Sequence, residues 1–217
     1  MIKILSDDER RRLDQLIADA EKRTHAQIVM AVIKRSDDYS ELPWKAFALS
    51  ASAAGLFVVI LDLIVNYWVS QTTVLIAAVL MLSTGAAFAL LTIFIPGFAK
   101  IFLSAHRAEV EVKQYAESFF LNRELFATSK RNGILLLISL FERQVILLPD
   151  KGLSKRLTTD AMQDIIACMR PPLAHHEINH ALECGLEELS KALELSTQGT
   201  SYIENELPDE IIEEKGV

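Results

Sequence analysis

Two different hydrophobic patterns follow each other in the first 33 residues. Ser6 and Glu9 stand three apart, as in a helix capping box, and apolar residues then recur at helical spacing up to Ala20. Residues 26–33 are continuously apolar and rich in β-branched side chains, which is typical of an interior strand in a largely parallel sheet. The pattern therefore predicts a helix from Ser6 to about Arg23, followed by a strand.

A long apolar block follows, and between Ala46 and Ala99 it contains one charged residue, Asp62. A bilayer core about 30 Å thick requires about 20 apolar residues in a helix, so the block is long enough for two spans. They are predicted at residues 44–65 and 73–95, joined by a short uncharged connection. Asp62 lies close enough to this connection to reach water at the interface. We therefore predict a two-helix transmembrane hairpin that acts as an anchor.

Cations flank this hairpin, whereas its connection carries none. They are Lys34, Arg35 and Lys45 before the first span, and Lys100 and Arg107 after the second. By the positive-inside rule, both flanks are expected on the cytoplasmic side. The N-terminus turns charged too soon for a cleavable signal peptide. Cys168 and Cys184 lack C-x-x-C spacing and are expected to be reduced thiols.

The chain beyond the hairpin combines helical and strand patterns. Neither flank can bury a sheet alone, because the first has one predicted strand and the second has two. We therefore predict one α/β domain with a small mixed sheet, two parallel strands plus an antiparallel hairpin strand, covered by helices and interrupted by the transmembrane hairpin. The predicted elements of the second flank are a charged helix from Ala105 to about Thr128, strands at 134–139 and 144–148, and helices at 154–169 and 175–195, which Pro171-Pro172 separates.

The formal charge of −7 is concentrated at the C-terminal end, where six carboxylates and one lysine follow Ser196. No basic stripe remains elsewhere, so nucleic acid is not expected as a partner. The acidic tail itself is typical of a solvated, disordered segment. The predicted organisation is an N-terminal half-domain at residues 1–44, the transmembrane hairpin at 45–99, a C-terminal half-domain at 100–195 and the tail at 196–217.

One short motif suggests metal chemistry, because His176-Glu177-Ile178-Asn179-His180 has the H-E-x-x-H spacing of zinc proteases. On a helical wheel, however, His176, His180 and Glu183 lie opposite the apolar stripe of the predicted helix, so they are expected to face solvent. A zinc protease needs its ligands and its general base in a cleft. We therefore interpret these three residues as surface zinc candidates and the protease as the least favoured function.

A second candidate site follows from the predicted sheet. Ligands favour the crevice beyond the carboxyl ends of parallel strands, where the sequence gathers the Asp37-Asp38 pair with Glu142 and Arg143 of the hairpin turn. Adjacent carboxylates bind hard cations, and an arginine holds phosphate or carboxylate groups bidentately. The alternative, which we favour, is a solvated loop with a structural ion pair. The sequence identifies no cofactor, and a divalent cation is the candidate that it offers here.

Three stretches of the sequence carry a family resemblance: from Ser6 to Tyr39, from Asn132 to Ser139, and from Glu142 to Gly152. They resemble the TPM-domain family, and in particular its bacterial membrane branch, in which a transmembrane hairpin interrupts the domain after its first strand. The resemblance implies a small sheet with helices on both faces. Together with the charge asymmetry, it implies a multi-pass protein of the bacterial inner membrane with both termini in the cytoplasm. Family members have been described as acid phosphatases, metal binders and assembly factors for membrane complexes.

Three functional hypotheses follow. The preferred one is an integral membrane protein that presents a cytosolic TPM-like α/β domain as a binding or assembly module, with the lipid bilayer and a membrane protein complex as partners. The alternative is a weak metal-dependent phosphatase that uses Asp37 and Asp38. The third is a zinc protease that uses His176, Glu177 and His180.

Overall fold

The computed structural model describes residues 4–65, 71–154, 156–194, 206–207 and 211–216. They divide into two compact units, Met1–Asp37 with Glu109–Val217 and Asp38–Ala108, which we call the α/β unit and the hairpin unit. The elements are α1 (Asp7–Thr24), β1 (Gln27–Arg35), α2 (Glu41–Val65), α3 (Gln71–Phe94), α4 (Pro96–Ala99), a 3-10 turn (Lys100–Phe102), α5 (Ala105–Asn122), β2 (Gly133–Ser139), β3 (Gln144–Pro149), α6 (Thr159–Ala174), α7 (Ile178–Glu194) and β4 (Ile212–Gly216).

The α/β unit is built on a four-stranded mixed sheet with the strand order β3-β2-β1-β4. β1 and β2 are parallel and pair from Gln27 opposite Gly133 to Ile33 opposite Ser139. β2 and β3 form an antiparallel hairpin. The predicted pairing of the two flanks is therefore confirmed, since β1 precedes the apolar helices in sequence and β2 follows them. The apolar residues of both central strands are buried on both faces of the sheet, which explains why their sequences are apolar without alternation.

Helices cover the sheet on both faces. On one face, α1, α6 and α7 pack against side chains of β1 and β2 such as Met30 and Leu136. On the other face, α5 packs with Val112, Ala116 and Phe119 against the alternate side chains of the same strands. The predicted capping box of α1 is present, since Ser6 Oγ accepts the Glu9 amide and Glu9 accepts the Ser6 amide.

The C-terminal end of the chain forms an unpredicted fourth strand. β4 pairs in parallel with β1, so the prediction of a disordered tail is wrong for residues 212–216, while residues 196–205 lie outside the described residues. The acidic side chains have partners far away in sequence. Glu213 accepts the Ile4 amide at 2.7 Å and pairs with Arg10 at 3.0 Å. Gly216 has φ 79°, and a Cβ there would lie 1.7 Å from the Arg35 carbonyl oxygen, so only glycine fits.

Two helices end differently from the prediction. α5 ends at Asn122 rather than near Thr128, because the chain turns at Glu124, which has φ 51°. α6 begins at Thr159 and continues through Pro171 and Pro172 to Ala174. The predicted break at the two prolines is therefore wrong. Both prolines lie in the last turn of the helix, where only two backbone hydrogen bonds are lost and little helix remains to be disrupted.

The hairpin unit contains α2 and α3, which pack against each other. A Cβ on Gly85 would lie 2.8 Å from ring carbons of Phe47, so the absence of a side chain at Gly85 allows this close approach. Candidate spans of 24 residues, Glu41–Ile64 and Gln71–Phe94, have mean hydropathies of 2.2 and 2.4, and their large apolar side chains are mostly exposed. By length and composition, both helices are able to cross a membrane. The connection at residues 66–70 lies outside the described residues.

Candidate functional site

The carboxyl end of β1 and the β2–β3 turn meet at one edge of the sheet, as predicted. The Leu140 amide donates to the Ile33 carbonyl at 3.0 Å, and the Phe141 amide donates to the Lys34 carbonyl at 2.8 Å. These bonds extend the β1–β2 contact past the end of the ladder. The structure therefore brings the turn that carries Glu142 to the segment that leads to Asp37.

Glu142 is buried within this edge, and its carboxylate is engaged by neighbouring side chains. It accepts the Ser36 amide at 2.8 Å and the Ser36 hydroxyl at 2.7 Å, and it also accepts the Ser139 hydroxyl. A buried carboxylate with hydrogen-bond donors on both oxygens is satisfied without a metal. Glu142 therefore connects the end of β1 to the β2–β3 turn through hydrogen bonds, which is a structural role.

Asp37 and Asp38 occupy different surroundings, although they are adjacent in sequence. Asp37 is half-buried and is the last residue of the first segment of the α/β unit, whereas Asp38 is exposed and begins the hairpin unit. Both have polar interactions in the structure. Among the described residues, no group of three or more His, Cys, Asp or Glu side chains is arranged to hold a metal ion. A cation site at Asp37 and Asp38 stays a prediction.

The opposite end of the sheet is closed by a charged pair. Asp150, at the end of β3, accepts two hydrogen bonds from Arg131, at 2.7 and 2.9 Å, and one from the Lys151 amide at 2.7 Å. Burial by itself would raise the pKa of Asp150, but these donors together lower the pKa below its ordinary value. Gly152 passes so close that a Cβ would lie 2.4 Å from the Arg131 carbonyl oxygen. This end is therefore a packed turn.

The H-E-x-x-H motif is divided between a turn and a helix. α7 begins at Ile178, so His176 precedes it, and the backbone of His176 is left-handed with φ 64°. The Glu177 amide donates to the Pro172 carbonyl at 2.9 Å, which directs the chain into α7. The predicted helix start at His175 is wrong. Because His176 and His180 do not lie on one helix, the ligand geometry of a zinc protease is not formed.

The other predicted zinc candidate, Glu183, has partners of its own. It pairs with Arg12 of α1 at 3.1 Å and accepts a hydrogen bond from Asn179 at 3.3 Å. His180 is exposed on α7, as expected from the helical wheel. Glu183 thus joins α7 to α1, and the zinc-binding role of the three residues stays a prediction.

A cleft of about 510 Å³ lies in the α/β unit between the β2–β3 hairpin and the junction of α6 and α7. It brings together Arg143 and His176, which the sequence placed in two separate candidate sites, and it adds Arg170. All three side chains are exposed. Arg170 was missed because no motif marks it. The one available signal was its position directly before two prolines, which indicates an exposed helix end.

The chain thus combines an α/β unit on a mixed four-stranded sheet with a hairpin of two long apolar helices, which is inserted in the sequence between the parallel strands β1 and β2. Residues 100–192 match the family model described as the TPM domain. This stretch begins after the apolar helices and includes the cleft and the β2–β3 hairpin. No curated protein matches the chain.

A solved structure supports the fold over almost the whole chain. The NMR structure of the BA42 protein from the psychrophilic bacterium Bizionia argentinensis is similar, with a TM-score of 0.58 and 14% sequence identity. The similarity covers 99% of this chain and 98% of BA42. At this identity the comparison shows a common fold and nothing about activity.

Proposed function

We propose that this chain is an integral protein of the bacterial inner membrane, in which α2 and α3 form a transmembrane anchor and the α/β unit is a binding or assembly module on the cytoplasmic side. The observation that carries the proposal is the pairing of β1 with β2 in register over seven residue pairs. These strands flank the two apolar helices in sequence. Strands that share a ladder must lie on the same side of the bilayer, so a pair of spans between them is consistent with the fold.

The exposure of the apolar helices supports the membrane part of the proposal. Leu56 and Leu82, near the middles of α2 and α3, are 62% and 61% exposed. Continuous apolar surface of this extent is costly in water and favourable in a hydrocarbon core. The cations next to the hairpin, Lys34 and Lys100 among them, favour a cytoplasmic location of both flanks.

The polar contacts of three carboxylates in the α/β unit are structural. The buried carboxylates of Glu142, Asp150 and Glu213 are each engaged by donors that hold the sheet together. No geometry among the described residues favours the phosphatase or the protease. Both stay predictions, and a phosphomonoesterase activity abolished by Asp37→Asn with Asp38→Asn would establish the first of them in place of a pure binding role.

Extraction of membranes with alkaline carbonate tests the proposed anchor. We expect the wild-type chain to stay in the membrane pellet. The double substitution Leu56→Arg with Leu82→Arg places two charges at span centres, each costing about 2.5–3.5 kcal/mol on insertion scales, and should release the chain or cause its degradation.

The matched control for this experiment is Gln15→Arg with Gln114→Arg, which adds the same charge at exposed positions of α1 and α5. The control should behave as the wild type. A wild-type chain that is recovered in the soluble fraction would disprove the proposed anchor.

A further inference from the structure

The cleft between the β2–β3 hairpin and the α6–α7 junction is lined by two arginines, Arg143 and Arg170. Among the described residues, neither Arg143 nor Arg170 makes an ion pair or a side-chain hydrogen bond. The other nine arginines of the chain all have a polar or electrostatic interaction. They are Arg10, Arg11, Arg12, Arg23, Arg35, Arg107, Arg123, Arg131 and Arg156.

It is unexpected for an acidic protein that both guanidinium groups without a partner among the described residues line one cleft. The chain carries a net charge of −7, so carboxylates outnumber cations. Most of its arginines form an ion pair with a carboxylate. His176 adds a third donor to the lining, while Glu109 is the single carboxylate there. Planar guanidinium groups bind phosphate and carboxylate oxygens through pairs of hydrogen bonds. The polar side of the cleft therefore suits an oxyanion.

The rest of the cleft is apolar. Its lining includes Ile138 and Val145 of the sheet together with Ile166 and Leu173 of α6. Its volume falls within the range of small-molecule sites, which combine a mainly apolar lining with a few polar groups that fix the orientation of the ligand. An inorganic anion would use the arginines and leave this apolar surface in contact with water.

We propose that the cleft binds a small amphiphilic oxyanion, in which a phosphate or carboxylate head contacts Arg143 and Arg170 and an apolar chain lies against α6 and the sheet. The site lies wholly within the α/β unit, so this inference goes beyond the proposed membrane role and does not depend on it. The ligand source is either a lipid or a soluble metabolite, since both present the same chemistry.

An extended acidic peptide that adds to the edge strand β3 is the competing occupant. β3 has six residues and ends at Pro149, which has no amide hydrogen to donate. Such a short edge with a terminal proline offers few backbone donors to an added strand. The largely apolar lining of the cleft and the presence of two guanidinium groups there favour the small ligand.

The test is a binding titration of the full-length chain in nanodiscs of zwitterionic lipid, with hexyl phosphate as the probe. We expect saturable binding in the wild type and at least tenfold weaker binding in the double variant Arg143→Gln with Arg170→Gln. Inorganic phosphate and hexanol should each bind at least tenfold more weakly than hexyl phosphate. The control Arg11→Gln with Lys22→Gln removes the same charge from exposed positions of α1 and should bind as the wild type.

Several outcomes would overturn the proposal: equal binding to all three proteins, inorganic phosphate as tight as hexyl phosphate, or binding of pentaglutamate without binding of hexyl phosphate. If hydrogen exchange shows that the double variant is misfolded, the single variant Arg170→Gln replaces it, because this side chain is exposed on α6. Competition by lysophosphatidate placed in the nanodisc identifies a lipid source, whereas competition by soluble alkyl phosphates alone identifies a metabolite. Both results support the site, and neither bears on membrane extraction.

Discussion

In the α/β unit the apolar side chains of β1 and β2 are buried, whereas in the hairpin unit Leu63 and Phe94 are each 76% exposed. The two units have equally apolar segments, yet only one of them covers those segments with helices. The α/β unit follows the rules of a water-soluble core, with every sheet face packed. The hairpin unit has the features that the proposed anchor requires of a lipid-facing pair, since backbone groups are satisfied inside each helix and the large apolar side chains are mostly exposed.

The largest effect is expected from a matched pair of leucine substitutions. Leu136→Ala removes a fully buried side chain from β2 and should lower the free energy of unfolding of the sheet by about 2–5 kcal/mol. Leu82→Ala removes an exposed side chain from α3 and should cost less than about 1 kcal/mol. Hydrogen exchange of the sheet amides in nanodiscs measures both. Equal losses would show that Leu82 is buried against protein.

A second matched pair compares two carboxylates. Glu142→Ala leaves the Ser36 amide and hydroxyl without their acceptor in a buried place, so we expect a loss of about 1–3 kcal/mol in the same measurement. Asp62→Ala removes an exposed charge from α2, and the sheet should be unaffected. A loss of sheet protection with Asp62→Ala would contradict the separation of the two units, and no loss with Glu142→Ala would contradict the structural role of Glu142.

Acid should destabilise the α/β unit through Asp150. The pKa of Asp150 is lowered in the folded chain, so its contribution is complete above the unfolded value of about 3.9 and is lost as the pH falls through the folded pKa. Unfolding measured from pH 6 to pH 2 should show a smaller acid dependence for Asp150→Asn than for the wild type. Asp164→Asn, at an exposed position of α6, is the control and should leave the acid dependence unchanged.

The smallest effect is expected in the reactivity of the two cysteines. Their labelling rates do not measure stability, but they show how well the thiols are shielded from solvent. Burial raises the pKa of Cys168 to about 12, together with a hydrogen bond to Cys184 and the charges of Glu188 and Glu187. Because the thiolate is the nucleophile, maleimide at pH 8 should modify Cys168 at least about a hundredfold more slowly than an exposed thiol. Mass spectrometry of each peptide, with Lys22→Cys as the exposed reference, measures the ratio. Comparable rates would show that α6 and α7 open readily.

The sheet was predictable where local pattern and burial agree. Residues 26–33 and 134–139 are apolar without alternation, and both became central strands. β4 escaped prediction because its sequence is dominated by Glu213, Glu214 and Lys215, and the partners that satisfy those charges are distant. Glu214, for example, accepts hydrogen bonds from Tyr115 in α5 and from Arg123 directly after it, more than 90 residues earlier in the chain. Local propensity cannot register such contacts.

The candidate site divides in the same way. The meeting of the β2–β3 turn with the end of β1 followed from the topology of parallel strands. The hydrogen bonds that engage the Glu142 carboxylate could not be predicted in this way, because they depend on the side-chain conformations of Ser36 and Ser139. The cleft was missed because Arg143 and Arg170 stand on different elements, 27 residues apart in sequence, and neither belongs to a motif.

Cysteine labelling across the membrane tests the central claim most directly, namely that both flanks of the anchor share one side of the bilayer. In a Cys168→Ala and Cys184→Ala background, single cysteines replace Lys22 of α1, Lys113 of α5 or Gln71 at the start of α3. An impermeant maleimide added to spheroplasts should label Gln71→Cys at once and should label Lys22→Cys and Lys113→Cys only after lysis. Labelling of Lys22→Cys and Lys113→Cys from opposite sides, or of all three from one side, would contradict the account.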